Sequence, residues 1–196
     1  MYKYLILFFL LIVPFESYSD DDSISQFVYG YLKRINDFID DEKFEDAQRE
    51  LDIFVRRYFV NEQSYERALI NQLYGNFWAI QGEYEKAIPW YEKSLKFKKM
   101  PLVTGLQVRV GLSQCYFQMS NYSKTIEVLE QYKAIAEQRR LLFPPTYRVM
   151  LGISYFQEKE YLKAYDNIKM ANQLSTEYKA VSYTHLRAHE TDRYLV

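Results

Sequence analysis

Three residues near the C-terminal end have the types and spacing of a metal site. His185 and His189 are four residues apart, so on a helix both imidazoles would lie on one face, with Glu190 beside them. Imidazole nitrogens and carboxylates are common zinc ligands, but a zinc site needs at least three protein ligands that the fold holds together. The chain has no other histidine. We therefore expect no bound metal and no cofactor.

Cys115, the single cysteine, is the other residue with nucleophilic or metal-binding chemistry. Nucleophilic catalysis needs a general base beside the thiol, and no histidine is available outside the C-terminal segment. We interpret Cys115 as a small buried apolar residue on a helix. The carboxylates Asp40, Asp41 and Glu42 lie in a predicted turn and read as solvated caps, and no glycine-rich phosphate loop is present. The sequence therefore predicts no catalytic site and a non-enzymatic protein.

The segment that carries both histidines differs from everything before it. Residues 181–196 read VSYTHLRAHETDRYLV. The part SYTHLRAHET resembles the translated reading frame of a common short-read sequencing adapter. We interpret residues 181–196 as such an artefact, inside a tail of residues 176–196.

The first 19 residues have the composition of a secretory signal peptide. Lys3 precedes an unbroken apolar run at residues 4–13, and Ser17 and Ser19 supply small residues at the two positions that a signal peptidase reads. The run is shorter than the roughly 20 residues that span a bilayer. We expect cleavage after Ser19, an acidic leader at residues 20–27, no membrane span in the mature protein, and a periplasmic location, with secretion as the alternative.

The balance of charge and apolar residues favours a packed helical protein. The chain has 25 basic and 26 acidic residues, so it carries no excess of positive charge for a phosphate backbone, and nucleic acid is not an expected partner. Hydrophobic residues make up 48%, with 6 glycines and 5 prolines. This composition excludes a disordered chain.

One pattern recurs four times along the chain. It contains an aromatic residue that opens a helix, a small residue three positions later and a bulky residue seven positions later, so all three share one helix face. The opening aromatic recurs at separations of 40, 38 and 39 residues. The opening aromatics are Phe44, Tyr84, Tyr122 and Tyr161.

Each repeat therefore predicts an amphipathic helix hairpin. The small column of the second helices lets the paired helices approach closely, with Gly75, Ser113 and Gly152 as the matching small surface on the first helices. Pro89 is expected to kink its helix. The small column is Ala47, Ala87, Thr125 and Ala164. We predict an all-α fold with helices at residues 25–40, 43–59, 63–81, 84–98, 104–119, 122–138, 146–158 and 161–175.

The best-formed unit, residues 75–94, resembles the tetratricopeptide repeat (TPR). The positions that match that consensus are Gly75, Trp78, Gly82, Tyr84, Ala87, Tyr91 and Ser94. The resemblance covers residues 28–175 and implies a right-handed α-solenoid of about four antiparallel helix hairpins. The spacing departs from the usual 34-residue period of the family.

The resemblance also implies a concave groove, lined by the first helix of each hairpin, that binds a peptide or a partner helix. Asn76 and Gln114 are the stronger candidates, because a side-chain amide can bond a ligand backbone with both its donor and its acceptor. Packing explains the apolar positions equally well. By position, the groove residues are Tyr29, Leu32, Asn36, Leu69, Gln72, Asn76, Val110, Gln114, Phe117, Val149, Ile153 and Phe156.

The chemistry of this predicted groove favours a neutral or apolar protein segment as the partner. Family members that clamp acidic tails flank such an asparagine with lysines, whereas Gln72 and Ile80 flank Asn76 here. Residues 65–68 (YERA) and the exported build are similar to TPR proteins that accompany TonB, ExbB and ExbD complexes. We therefore expect a non-catalytic envelope scaffold accessory to TonB-dependent transport. The alternative is the repeat region of a truncated enzyme or sensor, and genomic DNA read past codon 180 distinguishes the two.

Overall fold

The computed structural model describes residues 26–57 and 64–191. Within these ranges the backbone forms eight α-helices and no strand, which confirms the predicted all-α helical repeat fold. The predicted signal peptide lies outside the described residues. The helices are α1 (Gln26–Asp40), α2 (Phe44–Arg57), α3 (Tyr65–Ile80), α4 (Tyr84–Leu95), α5 (Leu102–Gln118), α6 (Tyr122–Gln138), α7 (Pro145–Gln157) and α8 (Tyr161–Thr191).

The helix boundaries follow the repeat pattern closely. The first seven helices begin and end within three residues of the predicted positions, and α4 continues through Pro89. The predicted end of α8 at residue 175 was wrong, because the helix continues to Thr191. Residues 176–191 contain neither proline nor glycine, so nothing in that segment interrupts the helical backbone.

The turn inside each hairpin has one geometry in all four repeats. The N–H of the residue before each opening aromatic donates to the carbonyl oxygen six positions before that aromatic, as in a Schellman motif, for example Glu83 to Trp78 at 3.0 Å. One residue in each turn has a positive φ. These residues are Glu42, Gly82, Ser120 and Lys159.

Gly82 is the left-handed residue of its turn, and the next turn uses a different residue type. There the left-handed residue is Ser120, whereas Asn121 is the N-cap of α6 and its side chain accepts from the N–H of Lys124 at 3.2 Å. Asn121 has a φ of −86°, as expected for an N-cap residue outside the left-handed region, so the left-handed position falls one residue earlier.

The described chain divides into two compact units, one that extends to Cys115 and one that begins at Tyr116. In the first unit, α1 packs on α2 and α3 packs on α4, and α3 also contacts both helices of the preceding hairpin. In the second unit, α7 packs on α8 and on α6. Each unit is therefore built from helices that follow one another in sequence.

Tyr91 of α4 holds the centre of the first unit. Its side chain is fully buried, and it fills the space that the absence of a side chain leaves at Gly75 of α3 and at Gly111 of α5. A Cβ atom added at Gly75 or at Gly111 would lie 2.6 Å from the ring of Tyr91. Two helices, α3 and α5, therefore approach the ring carried by α4 at a distance that only glycine permits.

The second unit contains one close glycine contact of this kind. A Cβ atom added at Gly152 of α7 would lie 2.8 Å from Cδ1 of Ile168, which stands on α8 at the position of Tyr91. The small column is buried in both units, as predicted, with Ala87 and Thr125 fully buried and Ala164 6% exposed.

Cys115 is buried, which confirms its interpretation as a small core residue. Burial raises the pKa of the Cys115 thiol to about 12, so the thiolate is not populated at neutral pH. No helix within the described ranges is long and apolar enough to cross a membrane.

We expect Gly111→Ala and Gly30→Ala to change stability in opposite directions. The new methyl group at Gly111 would overlap the buried ring of Tyr91, which should cost about 1–3 kcal/mol of unfolding free energy. Gly30 lies inside α1 with no atom within 4 Å of its added Cβ, so alanine there should gain about 0.5–1 kcal/mol through helix propensity. Urea unfolding followed by circular dichroism measures both, and a stabilised Gly111→Ala variant would contradict the close packing.

Candidate functional site

The structure leaves all twelve predicted groove residues accessible to solvent. Eight lie in the first unit and are half-buried, apart from Tyr29, which is exposed. We call these eight the first-unit stripe. Its members are Tyr29, Leu32, Asn36, Leu69, Gln72, Asn76, Val110 and Gln114.

The middle of α3 shows most clearly that the stripe is an open surface. Eight of the twelve residues from Ala68 to Ala79 are buried, because α3 contacts α1, α2, α4 and α5. Of the other four, Trp78 lies under the ammonium group of Lys86, 4.7 Å from the ring centroid. The remaining three, Leu69, Gln72 and Asn76, share one side of the helix.

The structure changes the interpretation of Asn76. Its side-chain oxygen accepts a hydrogen bond from the hydroxyl of Tyr91 at 2.7 Å. The amide was expected to offer a ligand both a donor and an acceptor, but the acceptor is bonded to the core, and what remains free for a ligand is its NH₂ group. Spacing along the chain did not reveal this contact, because Tyr91 and Asn76 lie on different helices.

Asn36 occupies the same repeat position on α1, with the opposite outcome. Leu51 replaces Tyr91 in that hairpin and has no hydroxyl group. The side-chain oxygen of Asn36 is consequently buried without a hydrogen-bond partner. A buried oxygen without a partner costs about 1–3 kcal/mol, so the amide of Asn36 is less well satisfied than that of Asn76.

The accessible side of α5 extends about two turns further towards the start of the helix than the predicted groove residues. Val110 and Gln114 are half-buried as part of the stripe, and Val103 and Gln107 continue the same helix face towards the start of α5. The side-chain oxygen of Gln107 is buried without a partner, like that of Asn36. The sequence-based list of groove residues missed Val103 and Gln107. Their helical spacing of seven and three residues before Val110 could have identified them.

The second unit has its own stripe, made of Phe117, Val149, Ile153 and Phe156. Val149 and Ile153 are 39% and 38% exposed, and Phe156 is 58% exposed. The two phenylalanines also contact the aromatic residues that open the following helices, with ring centroids 5.8 Å apart for Phe117 and Tyr122 and 5.5 Å for Phe156 and Tyr161. Phe117 and Phe156 therefore pack against the hairpin turn, while Val149 and Ile153 are open apolar surface.

Charged groups in the second unit form a separate cluster. Glu130 of α6 accepts a hydrogen bond from the hydroxyl of Tyr155 at 3.0 Å and pairs with Lys133 at 3.2 Å. Burial, followed by this hydrogen bond, raises the pKa of Tyr155, so the hydroxyl stays protonated as a donor. The cluster ties α7 to α6, and its polar groups bond one another.

Neither metal nor nucleophile chemistry is assembled in the part of the chain that the structure describes. No group of three or more His, Cys, Asp or Glu side chains lies close enough there to hold a metal ion. The side chains of His185 and His189 lie outside the described ones. The buried Cys115 is reached by no histidine side chain among the described residues, since the chain's two histidines are those at 185 and 189.

The fold is that of an all-α repeat protein built from helix hairpins, and solved structures share it. Two crystal structures of MamA are each 21% identical, with TM-scores of 0.60 and 0.59. Each alignment covers 80% of this chain, and it covers 81% and 76% of the respective MamA chain. A putative kinesin light chain from Podosopora anserina with nearly identical TPR-like repeats is 12% identical over 78% of this chain and 76% of its own, with a TM-score of 0.63.

These similarities identify the arrangement as a TPR-like helical repeat fold. No family model and no curated protein sequence matches the chain. The assignment consequently depends on the tertiary structure and on the repeat columns.

We expect Tyr91→Phe to destabilise the protein by about 1 kcal/mol, because it leaves the side-chain oxygen of Asn76 without its donor while the ring still fills the core. The matched control is Tyr161→Phe, whose ring is 58% exposed and which should change stability by less than about 0.5 kcal/mol. Equal urea midpoints for Tyr91→Phe and the unchanged protein would show that the hydrogen bond contributes nothing.

Proposed function

We propose that this protein is a non-catalytic scaffold whose first-unit stripe binds a neutral or apolar protein segment. One observation carries the proposal: where α3 is otherwise surrounded by packed helices, its open side consists of an aliphatic residue and two amides, Leu69, Gln72 and Asn76. Because α3 is already packed on its other sides, its packing does not explain why one aliphatic residue and two amides face solvent. An accessible surface that is neither charged nor fully apolar suits a peptide with both a backbone and apolar side chains to bind.

The neighbouring helices support the same class of ligand. The stripe residues of α1 and α5 carry no formal charge, so an acidic or basic segment would leave its own charges without partners there. α1 contacts α3, and the hydroxyls of Tyr65 on α3 and Thr104 on α5 lie 3.0 Å apart. The three helices therefore present their stripes as neighbours within one unit.

The polar atoms of the stripe match the needs of a peptide backbone. Asn76 retains its NH₂ donors, and the half-buried amides of Gln72 and Gln114 each carry a donor and an acceptor. An extended segment or a helix end exposes both carbonyl oxygens and N–H groups, so donors and acceptors are both required. Leu32, Leu69 and Val110 would contact the apolar side chains of the same segment.

We further propose that the protein works in the bacterial envelope, in the periplasm, as an accessory to TonB-dependent transport. The apolar run at residues 4–13 and the small residues before Asp20 motivate the location, and the similarity of residues 65–68 to TonB-associated repeat proteins motivates the role. Cell fractionation followed by N-terminal sequencing tests the location. A chain in the cytosolic fraction that retains Met1 would refute it.

The binding surface is tested by site-specific photocrosslinking in an envelope extract. A photoreactive phenylalanine analogue placed at Leu69 or at Val110 should yield a discrete crosslinked protein. The same analogue at Glu85, which is exposed on α4, should yield none. A double variant, Gln72→Ala with Gln114→Ala, should lower the yield about tenfold through the loss of two hydrogen bonds.

Asn76 is left unchanged in this variant, since its substitution would also remove the acceptor of Tyr91. Crosslinking from Glu85 that equals crosslinking from Leu69 would overturn the assignment of the stripe. An undiminished yield in the double variant would exclude the amides from binding.

A further inference from the structure

The short segments that connect the helices differ in charge according to whether they lie inside a hairpin or between two hairpins. We call residues 96–101 and 139–144 the inter-hairpin linkers, the two connections between hairpins that the structure describes in full. They read KFKKMP and RRLLFP, with three lysines, two arginines and no carboxylate. None of the turns inside the hairpins has a net positive charge. Those turns are residues 41–43, 81–83, 119–121 and 158–160.

The helix dipole does not account for this difference. A cation near the C-terminal end of a helix interacts favourably with the dipole, and that holds for every helix. The first helices of the hairpins, α1, α3, α5 and α7, nevertheless have no basic residue in their last turns, and α1 ends at Asp40. The concentration of cations at the ends of α4 and α6 therefore needs another cause.

The linker cations are exposed to solvent and form no ion pair in the described part of the chain. The ion pairs found there use other cations, most of them with a carboxylate three residues away. Glu92 and Glu137 are the acidic residues in the last turns of α4 and α6, and the linker cations outnumber them. Clustered cations of this kind attract an anionic surface. The linker cations are Lys96, Lys98, Lys99, Arg139 and Arg140.

The second linker adds apolar surface directly beside its cations. Leu141 and Leu142 follow Arg139 and Arg140 in the chain and are 44% and 45% exposed. Arg140 is left-handed, with a φ of 56°, and an apolar residue after such a position commonly packs back on the helix end. Nearly half of Leu141 nonetheless remains open, and Leu142 has no such packing role. Cations and apolar side chains therefore share one exposed tip.

This tip is fixed to the second unit on both sides. The N–H of Leu141 donates to the carbonyl oxygen of Ala136 at 2.8 Å. After the leucines, Phe143 is buried, with its ring centroid 5.2 Å from that of Tyr132 and 6.3 Å from that of Tyr147. The two leucines consequently stand at the surface without freedom to turn into the core.

We propose that the inter-hairpin linkers attach this protein to the surface of a membrane that contains anionic phospholipid. Arg139 and Arg140 bind lipid phosphates, for which the guanidinium fork is suited, and the two leucines enter the headgroup region. The lysines of the first linker add electrostatic attraction to anionic lipid. An acidic protein or a nucleic acid would neutralise the cations but offers no apolar layer beside its anionic groups. Neither linker contains a stripe residue, so this inference does not depend on the proposed function.

A local fluorescent probe in the full chain tests the attachment. An environment-sensitive fluorophore on Leu142→Cys should shift its emission to shorter wavelength with vesicles of equimolar phosphatidylcholine and phosphatidylglycerol, and not with phosphatidylcholine alone. Cys115 is buried and therefore protected from the label. The matched control is the same label on Ser123→Cys, which is exposed near the other end of α6 and should show no shift.

Titration of the labelled Leu142→Cys chain with the mixed vesicles measures the affinity. Arg139→Gln with Arg140→Gln should lower it about thirtyfold, because each basic residue near an anionic surface strengthens binding. Lys159→Gln with Lys163→Gln removes the same charge from the other end of the hairpin α7–α8 and should change the affinity less than about twofold.

Equal emission shifts at positions 142 and 123 would overturn the proposal. So would the absence of a shift at both, which is the result expected if the chain bound vesicles only through the apolar run at residues 4–13. An equal loss of affinity in the two glutamine variants would assign the attraction to net charge and would also overturn it. If soluble polyglutamate changed the emission at position 142 as much as the mixed vesicles, the linker would instead fit an acidic protein.

Discussion

The close contact of one tyrosine ring with two glycines is the constraint on which the first unit depends. Tyr91 is fully buried between Gly75 and Gly111, at distances that leave no room for a Cβ atom. The ring thereby sets the separation of three helices at once. Any side chain at either glycine would push a helix outward and open the adjacent contacts, since packed cores deform little.

The same tyrosine connects the core to the candidate binding surface. Its hydroxyl fixes the oxygen of Asn76, so the NH₂ group of this amide points in a defined direction without help from a ligand. Pre-ordered polar groups lose less entropy on binding than mobile ones. Where Leu51 replaces the tyrosine, the oxygen of Asn36 remains without a partner. A single exchange of tyrosine for leucine at one repeat position thus gives neighbouring hairpins different hydrogen-bonding groups on the same backbone fold.

Much of the fold was predictable from the sequence because each hairpin is specified locally. An aromatic residue, a small residue three positions on and a bulky one seven positions on define a helix face, and the turn before the aromatic ends the preceding helix. Seven of the helices were located in this way to within three residues. The end of α8 was missed because the repeat pattern stops before the helical backbone does.

The candidate site was predictable in outline and not in detail. Accessible positions follow from the helix face that the packing columns leave open, and each of the twelve predicted residues is accessible. Spacing alone determined the repeats and the bounds of seven helices, because these depend on periodicities within one hairpin, and the family resemblance implied which side of each first helix lines a groove. Only the tertiary structure decided that Tyr91 uses the acceptor of Asn76 and that Asn36 lacks a partner. Those facts depend on atoms from separate helices meeting within hydrogen-bond distance, which the order of residues along one helix does not encode.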